Sequence, residues 1–417
     1  MMYQDIFDNT NDTSVVDFSK KSYLLKTIKR RFLTYGYRQI QTSTLEQYDL
    51  YQSITGTVHP DKMIKVIDPS GKILVLRPDV TIPITRMLAS LNQVQSPEQP
   101  LFYISEVFRH SSDQQAKNEQ TQAGIENFGP STVELDAEVI ALAIHTLRDL
   151  GFDSFKLEIG QASFFRELLE LLNLTKAEKS ELQLLIQAKN ISEINRLLGD
   201  LTIQDELSTF IQQVPFLYGN FMEVINRAEE IALNEQMKDK LKKLKKLYEI
   251  LQFYEVENDV SLDLGLINHM DYYSDIIFQG FVENVGKPVL MGGRYDQLAD
   301  QLNATIPAIG FAFDVDFLVE AMDQHNLFPE VKTDIDIVLL YEKTRQRDAI
   351  KSASMLRYQG YRVYTEQLTA KECNPPASTS LVRYENDQQL LEHVNRSTSF
   401  TDQNDLLRLI RQREEDV

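Results

Sequence analysis

Four short stretches carry residue types that could hold a small polar ligand. LRPDVTIPITR sets Asp79, Thr81 and Arg86 around a strand-to-helix turn, and FRH places Arg109 at the end of an apolar strand. QAGIE holds Gln122 and Glu126 at even spacing, which puts both on one face of a strand. MDYY adds Tyr272 and Tyr273. Each residue has a dull explanation by itself: a helix cap for Asp79, a salt bridge for Arg109, an edge polar for Gln122. Together they supply carboxylates, an amide, hydroxyls and a guanidinium, an inventory suited to a small zwitterion with a ring donor.

A fifth stretch, residues 291–322, reads MGGRYDQLADQLNATIPAIGFAFDVDFLVEAM. Paired glycines followed by Arg294 suggest backbone that approaches a ligand closely. The strand-to-helix junction after AIGFAF is of the kind that offers N–H groups to phosphate. This junction, however, carries Asp314, Asp316 and Phe317 and no cation. Carboxylates there oppose a phosphate.

Other chemistries find no support. The six histidines (His59, His110, His145, His269, His325 and His393) show neither H-x-x-x-H nor HExxH spacing, and no GxSxG or Walker-type loop occurs. No metal or cofactor is therefore expected. A single cysteine, Cys373, excludes an internal disulfide and suits a reducing cytoplasm.

The elements that must position these residues can be read from periodicity. FSKKSYLLKTIKRRFLTY places Leu24, Ile28, Phe32 and Leu33 at helical spacing, and Gly36 stops that helix. YRQIQT reads as a strand, and KMIKVIDPSGKILVLR as a hairpin turned at Pro69-Ser70-Gly71. TIPITRMLASL is a helix with Pro83 in its first turn. LFYISEVFRH and TQAGIENFG are strands around a polar loop, SSDQQAKNEQ, and ELDAEVIALAIHTLRDLG is a long amphipathic helix. Helical periodicity then dominates residues 161–255, a helical insertion in which KDKLKKLKKL shows six lysines. A solvated helix face explains those lysines better than a binding surface does, given the glutamates nearby. Strands return with VSLDLGLI, YYSDIIFQGFV and KPVLMGG. After a linker, HNLFPEVKTD, a small βαβ-like unit and a charged helix close the chain.

The 417 residues suffice for two or three domains, and 42% apolar with 25% charged content is ordinary for a globular protein. The start shows neither a signal-peptide pattern nor an apolar run long enough to span a membrane, so a cytoplasmic location is expected. Net charge is −19, of which residues 331–417 carry only −1. The acidic remainder disfavours a non-specific grip on nucleic acid.

The same segments resemble class II aminoacyl-tRNA synthetases, specifically histidyl-tRNA synthetase. LRPDVTIPITR is similar to its LRPEGT stretch, and Phe108 to Gly129 resembles its motif 2, from FR to Q-x-G-x-E-x-x-G. HMDYYSDIIFQGF resembles its R-G-L-D-Y-Y segment, and GGRYDQL with IPAIGFAF the approach to motif 3. The resemblance implies an α+β fold: a class II synthetase-like antiparallel sheet flanked by helices over residues 1–325, with the helical insertion at about 161–255. Residues 331–417 would form a small C-terminal α/β domain, loosely similar to an anticodon-binding domain.

Departures from the synthetase pattern fall on the phosphate side. Phe317 stands in place of the motif 3 Arg that grips ATP, Asp314 in place of a Gly, and Asn268 in place of the catalytic Arg of R-G-L-D-Y-Y. The basic motif 2 loop becomes SSDQQAKNEQ, and motif 1's Pro becomes Ser43. On the amino-acid side, Thr81, Arg109, Gln122, Glu126 and Tyr273 match outright, and Asp79 keeps the carboxylate of the family's Glu. This pattern resembles the ATP phosphoribosyltransferase regulatory subunits, paralogues of the synthetase. Membership implies a non-catalytic chain whose partner is the short-form catalytic subunit, in a hetero-octamer required for activity and for histidine feedback in the first step of histidine biosynthesis. It implies self-association as a dimer, no tRNA, no membrane, and L-histidine as effector. The histidine-binding residues would be Asp79, Thr81, Arg109, Gln122, Glu126, Tyr272 and Tyr273. A divergent histidyl-tRNA synthetase and a synthetase-like histidine-binding module with another partner are the alternatives.

Overall fold

The first helix shows how local chemistry sets the frame. In the computed structural model, α1 runs Val15–Thr34, with the Ser14 hydroxyl accepting from Asp17 N–H and Gly36 in the left-handed region at φ 79° just beyond its end. Leu24, Ile28 and Phe32 are fully buried. Leu33, grouped with them by spacing, lies about 100° further round the helix and is 51% exposed. The structure describes residues 13–54, 58–90, 99–110, 118–201, 203–266, 272–302, 304–329, 335–369, 376, 378, 380–393 and 396–415.

The chain divides into two compact units, Met1–Phe328 and Pro329–Val417. In the larger unit β1 (Arg38–Gln39) and β2 (Leu45–Gln47) precede a short helix, α2 (Tyr48–Ser53). The hairpin follows as β3 (Lys65–Ile67) and β4 (Ile73–Leu76), its turn held by Asp68 and by Gly71 at φ 85°. Next come α3 (Thr81–Ser90), β5 (Gln99–Phe108), β6 (Glu119–Phe128), α4 (Val133–Asp149) and β7 (Phe155–Gln161). Five helices, α5 (Ala162–Leu171), α6 (Lys176–Gln187), α7 (Ile191–Asp200), α8 (Asp205–Gln213) and α9 (Phe221–Ile231), form the insertion with β8 (Tyr218–Gly219) and α10 (Glu235–Phe253). The unit finishes with β9 (Val260–Asp263), β10 (Ile276–Val282), β11 (Leu290–Arg294), β12 (Ala308–Asp314) and α11 (Val315–Gln324).

One sheet in the order β1-β5-β6-β12-β11-β10-β7-β9-β8 organises this unit. Its centre is antiparallel, but β1 pairs with β5 and β7 with β9 in parallel, so the sheet is mixed. Three readings of the sequence need correction. Glu119 and Gln120, placed in a loop, already pair in β6, while residues 111–117 of that stretch lie outside the described residues. The insertion is not purely helical, because β8 adds to β9. The strand VSLDLGLI ends at Asp263, whose carboxylate accepts from Gly265 N–H at 2.8 Å and turns the chain.

Helix α10 buries Met237, Leu241, Leu244, Leu247 and Leu251. Five of its six clustered lysines (Lys238, Lys242, Lys243, Lys245 and Lys246) pair with carboxylates, as a solvated, ion-paired face requires. Among the described residues no helix is long and apolar enough to cross a membrane.

Alternation along β6 separates two cores. Ala123 and Ile125 point to the α1 and α4 side, a large apolar cluster that continues into the insertion. The other face meets a smaller cluster with Val80, Ile82, Tyr103, Tyr273, Tyr295 and Leu298. Gln122 and Glu126 share that second face.

In the smaller unit β13 (Ile337–Tyr341), α12 (Gln346–Tyr358) and β14 (Val363–Gln367) make the parallel βαβ expected. Three further strands, β15 (Ser380–Tyr384), β16 (Gln389–His393) and β17 (Arg396–Ser399), extend it to five before α13 (Gln403–Glu415). Their polar composition (ENDQ between β15 and β16) hid them in the sequence.

Candidate functional site

Asp79, Thr81, Arg109, Gln122, Glu126, Tyr272 and Tyr273 all line one cavity of about 250 Å³ on the second face of the sheet. Glu126 sits at its base, 2% exposed. Thr81 Oγ1 donates to Glu126 Oε1 at 2.5 Å, and the Tyr295 hydroxyl donates to Oε2. Each carboxylate oxygen has two lone pairs, so both can still accept from a ligand. Gly310 faces Glu126 across the β6–β12 ladder, and a Cβ there would overlap Oε2. Gly124 likewise leaves room for the Tyr103 hydroxyl, which a Cβ would approach to 2.6 Å.

Asp79 has two roles. Its Oδ1 accepts from Ile82 N–H at 2.9 Å in the first turn of α3, while Oδ2 is buried without a hydrogen-bond partner. The helix-cap explanation therefore accounts for one oxygen and leaves the other for the cavity. Arg109 Nε donates to the Pro78 carbonyl at 2.7 Å, which fixes the guanidinium at the end of β5. Tyr272 and Tyr273 pack with ring centroids 4.7 Å apart, and Tyr272 stands edge-on to Tyr295 at 5.8 Å. Arg86 turns elsewhere and pairs with Glu46 at 3.2 Å.

The strand-to-helix junction is closed by its own carboxylates. Asp314 caps α11 by accepting from Phe317 N–H at 3.1 Å. Asp316 accepts from Thr121 N–H at 3.1 Å and pairs with Lys21 of α1 at 3.2 Å. The positive end of the helix dipole is thus already met by carboxylates, and a phosphate there would be repelled. Phe317 lines the cavity, with the Lys287 ammonium 5.2 Å from its ring centroid. Asn268 lies outside the described residues.

The paired glycines and Arg294 serve packing, contrary to the ligand-facing reading. A Cβ at Gly293 would strike the Tyr273 ring at 2.7 Å and the Ile276 carbonyl at 2.6 Å. Arg294 is fully buried and bonds Asp136 and Asp296.

The family described as histidyl-tRNA synthetase matches residues 9–318 of the chain. An ATP phosphoribosyltransferase regulatory subunit from Oceanobacillus iheyensis is 44% identical, covering 90% of this chain and 91% of its own length. One from Acetivibrio thermocellus is 35% identical over 83% and 82%. The chain belongs to the ATP phosphoribosyltransferase regulatory subunit family. Among solved structures, an ATP phosphoribosyltransferase regulatory subunit/histidyl-tRNA synthetase from Bacillus halodurans superposes with TM-score 0.78 at 30% identity, over 87% of this chain and 93% of that one. Histidyl-tRNA synthetase from Nostoc sp. PCC 7120 gives TM-score 0.78 at 17% identity, over 97% and 99%, a likeness of fold alone.

For this member of the regulatory subunit family, sequence reasoning missed Tyr295 and Lys287. Tyr295 lies within GGRYDQL, the stretch similar to the approach to motif 3, and that resemblance was its signal. Lys287 comes from the loop between β10 and β11 and reaches the cavity only through the fold.

Burial dominates the electrostatics of the two inner carboxyls. It pushes Glu126 up to about 7 against the Thr81 and Tyr295 hydrogen bonds, and Asp79 up to about 6 against the Ile82 N–H and Arg109. The native state therefore holds protons that the unfolded chain releases from about pH 4 upward, so these groups cost stability as pH rises toward 7. Glu126→Gln should remove that share. Between pH 5 and pH 8 its stability relative to the native chain should improve by about 2–3 kcal/mol, at about 1.36 kcal/mol per pKa unit. Urea denaturation of both chains at the two pH values measures this. A constant difference would mean that Glu126 is ionised throughout.

Proposed function

We propose that this chain is the non-catalytic regulatory subunit of ATP phosphoribosyltransferase. In this reading it binds L-histidine in the cavity and assembles as a dimer with short-form catalytic subunits into a cytoplasmic hetero-octamer. It is required for their activity and carries histidine feedback in the first step of L-histidine biosynthesis. Asp79, Thr81 and Gln122 meet the α-amino group, Arg109 the carboxylate, and Glu126 with Tyr273 the imidazole, beside Tyr272.

One observation carries the reading. The residues suited to an amino acid converge on a single cavity, whereas the neighbouring helix N-terminus is closed by Asp314 and Asp316. At about 250 Å³ the cavity lies just below the usual range of ligand pockets, which run from about 300 Å³ upward. One amino acid fits that size better than an amino acid joined to a nucleotide. The net charge of −18 over the first 330 residues supports the absence of tRNA.

Adenylate formation relies on positive charge preorganised around the phosphates, and each lost contact costs about 10²–10³ in rate. Phe317 and Asn268 replace two such contacts in the synthetase pattern. Histidine-dependent ATP–pyrophosphate exchange by the purified chain should equal the no-enzyme blank. Exchange clearly above the blank would sink the regulatory reading in favour of a divergent synthetase.

A further inference from the structure

We propose that Lys287 is the second anchor for the carboxylate of the bound amino acid, an assignment that rests on the histidine reading above. Lys287 lines the same cavity as Asp79, Thr81 and Glu126. Its ammonium lies 5.2 Å from the centroid of the Phe317 ring and has no hydrogen-bond or ion-pair partner among the described residues. An aromatic face holds a cation without neutralising it. The four-carbon stem lets that charge swing toward a carboxylate without moving backbone.

The other cation lining the cavity cannot serve a ligand carboxylate unaided. Arg109 is tied through Nε to the Pro78 carbonyl, and its charge already favours the ionised forms of Asp79 and Asp314. Asp79, Glu126 and Asp314 put three carboxyls on the cavity wall against two cations. A ligand carboxylate adds a fourth acidic group, and Lys287 is the lining cation with no other hydrogen-bond or ion-pair partner among the described residues to answer it. Asp79 and Glu126 take the ligand's nitrogen groups, and Arg109 with Lys287 takes its carboxylate. Phe317, which removes a cation from the synthetase pattern, here supplies the face against which another cation is held.

The test is calorimetric titration of the full-length native, Lys287→Met and Lys287→Arg chains with L-histidine and with histamine, which lacks the carboxylate. Lys287→Met should weaken L-histidine binding roughly ten- to hundredfold, change histamine binding by less than about twofold, and leave the unfolding midpoint unchanged. Lys287→Arg should retain most of the L-histidine affinity. An equal loss for both ligands, a lowered unfolding midpoint that accounts for the loss, or no loss at all would overturn the assignment. Failure of the native chain to bind L-histidine would overturn the histidine reading and this one together. L-histidine binding indifferent to Lys287 would overturn this one alone.

Discussion

Assembled with a short-form ATP phosphoribosyltransferase catalytic subunit, a chain carrying Glu126→Ala should support phosphoribosyl transfer at the native rate while losing most of its response to histidine. Glu126 is buried at the base of the cavity, where Thr81 and Tyr295 hold its two oxygens in place. Removing a buried partner of a ligand N–H costs about 1–3 kcal/mol, so the inhibition curve should move to roughly 5- to 150-fold higher histidine. If the catalytic site lies on another chain, inhibition must act through a coupling free energy of similar size, and linkage makes it reciprocal. The state of the partner that histidine favours must itself favour histidine, so the isolated chain and the complex should bind it with different affinities. Glu126→Gln, nearly isosteric, controls for damage to the fold and should shift the curve in the same direction. Superimposable curves for all three chains, with sedimentation showing intact complexes, would place feedback outside this cavity.

Several parts of this site were legible because they rest on local rules. Gln122 and Glu126 share a face by the two-residue period of a strand, and Asp79 precedes a helix by turn chemistry. What escaped depends on long-range packing. Lys287 sits 161 positions beyond Glu126, in a loop whose composition resembles any surface turn. Arg294 looked available because arginine after glycines commonly meets a ligand, yet its partner Asp136 lies 158 residues away on α4. Spacing reports which face a residue takes, and only the assembled sheet decides what covers that face. The polar strands β15–β17 escaped for the same reason: one side alone is apolar, and Val382, Tyr384 and Leu391 are its buried markers among the described residues.

Substituting Asp136 should have the largest effect on stability. Arg294 is fully buried, donating through Nε at 2.8 Å and a terminal nitrogen at 2.6 Å to Asp136 Oδ1, and through the other to Asp296 at 3.0 Å. Burial pushes Asp136 up to about 6 even beside the guanidinium, which leaves the pair ionised at neutral pH. Asp296 also accepts from Ala308 N–H and Ser131, so the network ties α4 to the ends of β11 and β12. Breaking a buried pair from one side strands the other charge, at a cost of about 3–5 kcal/mol. Asp136→Ala should lose that much in urea denaturation. Asp136→Leu combined with Arg294→Met should lose far less, because replacing both partners by apolar groups of similar volume is often near neutral. The consequence reaches the cavity, since Tyr295 follows Arg294 directly and donates to Glu126. Asp136→Ala should therefore weaken histidine binding even where the chain remains folded. A loss below about 1 kcal/mol would show that Asp296 alone satisfies the guanidinium and that α4 contributes nothing to the pocket through this pair.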